Sequence, residues 1–153
     1  MIEVGKKAPA FTLPSGSGGK VSLKDFKGKA VVLYFYPKDN TPGCTTEACD
    51  FRDNFSRITA AGAVVLGVSA DSPERHKKFS AKLELPFELL SDEGHKVLEK
   101  YGIWQEKKLY GRIFMGIVRS TVIIDAGGTV AAVFPKVKVK GHVDQVLEVL
   151  SEM

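Results

Sequence analysis

Two cysteines carry the clearest chemistry in this sequence of 153 residues. Cys44 ends the segment PKDNTPGC at residues 37–44, which follows an apolar run and opens a predicted helix. The unpaired amides of a first helical turn and the helix dipole favour a thiolate over a thiol. Gly43 leaves the neighbouring backbone bare, so that a small substrate can approach. The segment therefore predicts a reactive thiol, although free cysteine is also a common buried filler of cores.

Cys49 lies five residues further along the same predicted helix. Residues at this spacing on an α-helix have Cα atoms roughly 8.6 Å apart. A disulfide tolerates a Cα separation of up to about 7 Å. Either Cys49 is inert, or its pairing with Cys44 requires the first turns of the helix to unwind.

The elements around the cysteines indicate a βαβ unit. Residues 30–36 (AVVLYFY) and 63–68 (AVVLGV) are continuous apolar runs typical of strands buried on both faces. Between them, apolar residues at spacings of three and four predict one helix from Thr41-Pro42 to Gly62. A right-handed crossover between parallel strands is the default for such a unit.

The remaining pattern predicts an α/β chain of one domain, residues 1–153. Residues 15–19 (SGSGG) predict the turn of an N-terminal hairpin, and residues 125–128 (DAGG) predict a second hairpin turn. Residues 102–118 show no clear period, and we interpret them as an irregular connection. The other predicted elements are helices at 72–83, 93–101 and 143–150, and strands at 11–13, 21–23, 87–90, 121–124 and 130–134.

Composition excludes several functional classes. The longest apolar run has seven residues, whereas a membrane-spanning helix needs about 20. The first eleven residues (MIEVGKKAPAF) lack the apolar stretch of a secretory signal, so we expect a cytoplasmic protein. Two cysteines and three scattered histidines are poor material for a structural zinc site. The net charge is +4, but the basic residues are spread out, and we expect no nucleic-acid partner.

Two long segments resemble one known family. Residues 36–53 (YPKDNTPGCTTEACDFRD) resemble the active-site segment of the peroxiredoxins, and the similarity is greater to the bacterioferritin-comigratory-protein group, also called peroxiredoxin Q. Residues 106–125 (EKKLYGRIFMGIVRSTVIID) and the opening residues 5–14 (GKKAPAFTLP) resemble the same group. The resemblance implies a thioredoxin-like α/β fold, with a central mixed β-sheet flanked by helices and an N-terminal β-hairpin.

The resemblance also implies a role for each residue of the motif. Cys44 corresponds to the peroxidatic nucleophile, whose thiolate attacks a peroxide oxygen and becomes a sulfenic acid. Arg119 corresponds to the arginine that stabilises the thiolate and the leaving oxygen. Thr41 corresponds to the hydroxyl partner of thiolate and peroxide, and Pro37 to a shield against water. The Gly43 and Cys44 amides would contact the oxyanion, and Glu47 would hold Arg119. From local pattern alone, Thr41 could equally be only an N-cap.

Cys49 occupies the position at which this group often carries a resolving cysteine. Its implied role is to attack the Cys44 sulfenic acid and form an intramolecular disulfide. Thioredoxin or a similar dithiol carrier would reduce that disulfide by exchange. The implied substrates are hydrogen peroxide and organic hydroperoxides, the enzyme would need no metal or other cofactor, and we expect a monomer.

Two other functions remain alternatives on the same fold. One is a thiol–disulfide oxidoreductase acting on proteins, but such enzymes usually carry Cys-x-x-Cys, and here four residues separate the cysteines. The other is a peroxide-sensing module without turnover. Reduction of protein disulfides would distinguish the first from a peroxidase, and steady consumption of peroxide with excess dithiol would distinguish the second.

Overall fold

Strands and helices alternate along most of the chain in the computed structural model, which describes residues 2–153. The strands are β1 (Thr12–Pro14), β2 (Lys20–Ser22), β3 (Ala30–Phe35), β4 (Ala63–Ser69), β5 (Glu88–Ser91), β6 (Trp104–Leu109), β7 (Arg112–Ile117), β8 (Ser120–Ile124) and β9 (Val130–Phe134). The helices are α1 (Pro42–Asp53), α2 (Phe55–Ala60), α3 (Pro73–Leu83), α4 (Lys96–Lys100) and α5 (His142–Ser151).

A five-stranded mixed sheet forms the centre of the molecule, in the order β5-β4-β3-β8-β9. Strands β3, β4 and β5 run parallel, whereas β8 and β9 join antiparallel beside β3. Strand β3 lies in the middle, and each of its six residues is buried. Strands β1 and β2 form a separate antiparallel hairpin. The predicted mixed sheet and N-terminal hairpin are therefore confirmed.

Alternation along β3 divides the core into two clusters, one on each face of the sheet. Val31, Leu33 and Phe35 point into one cluster. Val32 and Tyr34 point into the other, which also contains Cys44 and Phe51 from α1. Because the side-chain period of a strand is two, burial on both faces produces the continuous apolar run seen in the sequence.

The prediction of one long helix between β3 and β4 is wrong in one respect, because the structure divides this segment into two helices at Asn54. Asn54 leaves the helical conformation with ψ near 10°, and its side-chain amide donates to the Asp50 carbonyl at 2.8 Å. Asparagine side chains compete in this way with the backbone hydrogen bonds of a helix. Helix α1 therefore ends one residue earlier, and α2 is a separate element.

The irregular connection predicted for residues 102–118 is also wrong. Strands β6 and β7 pair antiparallel in a two-stranded hairpin of its own. Its turn is Tyr110-Gly111, and both residues have positive φ (51° and 74°), as a type I′ turn requires. Both strands are largely exposed, so burial imposes no apolar period on their sequence. Among residues 2–153, no helix has the length and apolar character needed to span a bilayer.

Substitution of Gly67 by alanine is expected to destabilise the sheet. A Cβ at this position of β4 would lie 2.8 Å from Leu89 Cδ2 and 2.9 Å from Tyr34 Cζ. Overpacking of this kind typically costs about 1–3 kcal/mol. Gly94→Ala is the matched control, since no heavy atom lies within 4 Å of its added Cβ. Urea unfolding should show a lower midpoint for Gly67→Ala alone, and equal midpoints would contradict the packing argument.

Candidate active site

Cys44 lies in the first turn of α1, the helix that follows the central strand β3. Thr41 is the N-cap of this helix, Pro42 is its first residue, and the first intrahelical hydrogen bond runs from Thr45 N to Thr41 O at 2.9 Å. The amides of Gly43 and Cys44 therefore precede the helical ladder and remain available to a ligand. The side chain of Cys44 is 1% exposed and packs in the core cluster beneath α1.

Arg119 reaches this helix terminus because of the sheet topology. It immediately precedes β8, whose first residue, Ser120, pairs with Phe35 at the end of β3. Antiparallel pairing thus brings residue 119 to the same edge of the sheet as the start of α1. The Arg119 carbonyl accepts from Val137 N at 2.8 Å, and the Arg119 Nη2 donates to Cys44 Sγ at 3.3 Å.

Glu47 is the second acidic partner of the same guanidinium. Arg119 Nη1 donates to Glu47 Oε1 at 2.6 Å, and Glu47 is 1% exposed. The other carboxyl oxygen, Oε2, is buried and has no hydrogen-bond partner within the described residues. Burial raises the pKa of Glu47 to about 7, although the Arg119 charge opposes this shift.

The remaining predicted residues surround Cys44 in different ways. Thr41 is half-buried, and its hydroxyl donates to Lys38 O at 2.8 Å instead of capping the helix. Gly43 lies directly against Arg119, since a Cβ there would be 3.1 Å from Nη2. Pro37 is exposed in the segment before α1. The structure thus brings Cys44, Glu47 and Arg119 into contact, with Gly43 beside them.

Cys49 shares α1 with Cys44, and both thiols are free. Cys49 is half-buried, whereas Cys44 is buried. Since α1 is helical across both positions, the geometric estimate of roughly 8.6 Å between their Cα atoms applies. The two cysteines therefore belong to one helix without forming a bridge in this conformation.

A buried polar network that sequence reasoning missed fixes the segment before α1. Asp39 accepts from the Tyr36 hydroxyl at 2.5 Å and contacts His76 Nδ1 at 2.6 Å. His76 Nε2 contacts Leu90 O at 2.9 Å, and the Asp39 amide donates to Asp71 at 2.7 Å. These contacts join the segment between β3 and α1 to α3 and β5. Local sequence offers no signal for them, because Asp39 and His76 are 37 positions apart.

Potential metal ligands also meet in this network. Ligand atoms of Asp39, Asp71 and His76 lie within 4.8 Å of one another. All three side chains already take part in hydrogen bonds within the protein, and Asp71 additionally pairs with Arg75 at 3.2 Å. The observed contacts give the cluster a structural role in holding the segment before α1.

Comparison with known proteins identifies the family. The profile of the AhpC/TSA family matches residues 4–133. The chain belongs to the AhpC/TSA family. Peroxiredoxin Bcp of Bacillus subtilis is 52% identical to this peroxiredoxin over 99% of the chain and 97% of its own length. Peroxiredoxin Bcp of Escherichia coli is 46% identical, again over 99% of the chain and 97% of its own length.

Solved structures confirm the thioredoxin-like fold predicted for this peroxiredoxin. The bacterioferritin comigratory protein of Xanthomonas campestris, whose structures concern alkyl peroxide reduction, has a TM-score of 0.92 at 39% identity, with 98% of both chains covered. A peroxiredoxin Q mutant from Xylella fastidiosa has a TM-score of 0.94 at 33% identity, covering 99% of this chain and 97% of the other. The predicted membership of the peroxiredoxin Q group is thus confirmed.

The electrostatics of the peroxiredoxin site depend on one cation. Burial lowers the pKa of Arg119, but the charges and hydrogen bonds of Glu47 and Cys44 outweigh this and raise it overall. The guanidinium therefore stays charged between two groups that can each become anionic. A thiolate held this way beside free amides is suited to nucleophilic attack on a small electrophile such as a peroxide.

Glu47→Gln is expected to change how stability depends on pH. The folded-state pKa of Glu47, about 7, exceeds its ordinary value of 4.5. The folded protein therefore binds more protons than the unfolded chain between these values, and its free energy of unfolding falls as pH rises through them. Relative to the variant, the wild type should lose about 2–3 kcal/mol between pH 4.5 and 8. Urea unfolding across this range measures the difference, and parallel curves would contradict it.

Proposed function

We propose that this peroxiredoxin reduces hydroperoxides through Cys44, with Arg119 as the activating cation. The observation that carries the proposal is the contact between the Arg119 guanidinium and Cys44 Sγ at the first turn of α1. A positive charge at this distance favours the thiolate and also stabilises negative charge that develops on the leaving oxygen. The free amides of Gly43 and Cys44 offer donors to the same oxygen.

The first step is a balanced two-electron oxidation of sulfur. The Cys44 thiolate attacks the distal oxygen of ROOH, an S–O bond forms and the O–O bond breaks. The products are the Cys44 sulfenic acid and RO⁻, which takes a proton to become water or an alcohol. Thr41 is the N-cap residue of α1, and its hydroxyl is proposed to hold the incoming peroxide. Pro37 is proposed to limit access of water from the side of the preceding segment.

The second step is proposed to use Cys49. Its thiol attacks the Cys44 sulfenic acid, a disulfide forms and water leaves. Because an intact helix keeps the Cα atoms roughly 8.6 Å apart, the turns between them must unwind. The local sequence favours this change: Gly43, Thr45 and Thr46 are weak helix formers, and the Thr46 hydroxyl bonds back to Pro42 O at 3.0 Å.

A dithiol protein then completes the cycle. The AhpC/TSA family uses thioredoxin-type reductants, and the proposed Cys44–Cys49 disulfide would be reduced by thiol exchange. We propose a cytoplasmic location, because a carrier of this kind must itself be kept reduced. A monomer is the proposed state, since the exposed Lys108 and Arg112 of the β6–β7 hairpin would face their own copies in a symmetric hairpin contact.

Intact mass after one equivalent of hydrogen peroxide tests the roles of the two cysteines. The reduced wild type, with free thiols blocked at once, should lose about two mass units and keep no thiol that can be blocked. Cys49→Ser should instead gain about 16 or 32 units, because oxidation stops on Cys44. Cys44→Ser should remain unchanged. Steady thioredoxin-dependent turnover in Cys49→Ser at the wild-type rate would remove Cys49 from the cycle.

Arg119→Lys is expected to slow oxidation of Cys44 by about 100-fold, the usual effect of losing one donor to developing negative charge. A single ammonium cannot reproduce the fork by which the guanidinium contacts Cys44 and Glu47 together. Rapid-quench sampling followed by intact mass can follow the oxidation of Cys44 by peroxide. Arg112→Lys on the exposed strand β7 is the matched control and should react at the wild-type rate. Equal rates for both variants would contradict the role of Arg119.

A further inference from the structure

The Arg119 guanidinium contacts two acidic groups, Cys44 and Glu47. Cys44 and Glu47 are three residues apart on α1, so their side chains project from the same face of the helix. The Arg119 guanidinium bridges them, with Nη2 at 3.3 Å from Cys44 Sγ and Nη1 at 2.6 Å from Glu47 Oε1. Both acidic groups are 1% exposed. If both were ionised, the buried trio would carry a net negative charge, which is strongly unfavourable in a dry site.

The surroundings of Glu47 do not neutralise that excess. Asp50 of α1 is itself acidic, and its charge raises the pKa of Glu47 further. Tyr34 of β3 lies in the same core cluster as Cys44, and burial together with the Glu47 charge raises the pKa of its phenol well above the usual range. Burial lowers the pKa of His142 of α5 and the Arg119 charge lowers it further, although the hydrogen bond to Gln145 opposes this, so the environment disfavours a positive charge on His142.

Glu47 has a free atom on which a proton can sit. Its Oε1 is occupied by Arg119, whereas its Oε2 is buried without a partner. A buried carboxylate oxygen that lacks a donor carries a full desolvation penalty, and a proton on that oxygen reduces it. Charge count and hydrogen bonding therefore both favour a neutral Glu47 while Cys44 is a thiolate.

We propose that Cys44 and Glu47 share one proton across Arg119, so that Glu47 is protonated beside the Cys44 thiolate and ionises when Cys44 is oxidised. This inference rests on the proposed role of Cys44. It makes Glu47 a positioning and charge-balancing residue that acts through Arg119, without contact to the peroxide. After oxidation, the neutral sulfenic acid no longer competes for the guanidinium, and Glu47 takes over the ion pair.

With this proton on Glu47, the first step neither gains nor loses a proton overall. The thiolate of Cys44, the neutral carboxyl of Glu47 and ROOH give the Cys44 sulfenic acid, the Glu47 carboxylate and ROH. Sulfur loses two electrons, and the O–O bond takes them as it breaks. Glu47 releases one proton and RO⁻ gains one, and the proton exchanges through solvent. When a dithiol returns Cys44 to the thiolate, Glu47 recovers a proton.

Infrared spectroscopy tests the inference directly, because a protonated carboxyl has a carbonyl band that the carboxylate lacks. At pH 8, the reduced wild type should show a band that disappears when one equivalent of peroxide oxidises Cys44, with an amplitude of one carboxyl per chain. Intact mass is recorded on the same sample. Glu47→Gln should lack this redox-sensitive band, whereas Asp50→Asn, which changes the neighbouring partly buried carboxyl on α1, should keep it.

Cys44→Ser provides the decisive comparison, since serine cannot become an anion here. Because burial already raises the pKa of Glu47 to about 7, the comparison is made at pH 8, where burial alone leaves Glu47 mostly ionised. If the thiolate keeps Glu47 neutral there, this variant should lack the band at pH 8 even without peroxide. A band that persists both in Cys44→Ser and in oxidised wild type would mean that burial alone protonates Glu47, and would overturn the proposal. Oxidation of Cys44 with an unchanged spectrum also overturns it, whereas failure of peroxide to oxidise Cys44 would instead refute the proposed function.

Discussion

The Arg119 guanidinium, buried between Cys44 and Glu47, is the interaction on which the site depends. Two acidic groups on one turn of α1 would repel each other in the core without a cation between them. The guanidinium fits because its fork offers a separate N–H to each group, at 3.3 Å and 2.6 Å. Several features of the fold serve this contact, including the glycine at position 43, where a Cβ would lie 3.1 Å from the guanidinium.

The sheet topology explains how the contact arises between residues 75 positions apart. Strand β3 runs toward the start of α1, and β8 begins beside the end of β3 through the pair Phe35 and Ser120. Arg119 therefore enters at the N-terminus of α1 without any long loop. On the other side of the same segment, Asp39 is tied to His76 and Asp71. Cys44 thus lies between Arg119 and the segment that Asp39 fixes by hydrogen bonds.

Much of this arrangement was predictable from the sequence, but for different reasons. The apolar runs of β3 and β4 are long because both faces of the sheet are covered, and such runs identify strands directly. Cys44, Thr41 and Arg119 were found through a motif and a family resemblance. The resemblance also implied that Glu47 holds Arg119, and the fold supplies the reason, because antiparallel pairing of β8 with β3 brings residue 119 to α1.

The features that were missed lack local signals. The β6–β7 hairpin is exposed, so its residues show no apolar alternation, and its turn places Tyr110 in the left-handed region, which is uncommon for tyrosine. The break at Asn54 depends on a side-chain hydrogen bond, whereas the continuous apolar stripe in the sequence predicts an unbroken helix. The Asp39–His76 pair depends on the packing of α3 against the segment before α1, which no local pattern in the sequence encodes.

The break at Asn54 has a consequence for the speed of the catalytic cycle. Helix α2 is held by Ile58, which is fully buried, and the segment before α1 is held by the Asp39–His76 contact. The unwinding proposed for residues 44–49 therefore takes place between two fixed ends, and closing so short a segment carries a small entropic cost. Recovery of α1 is then a local coil-to-helix transition. Such transitions take about 0.1–1 μs, so refolding of the helix would not limit turnover.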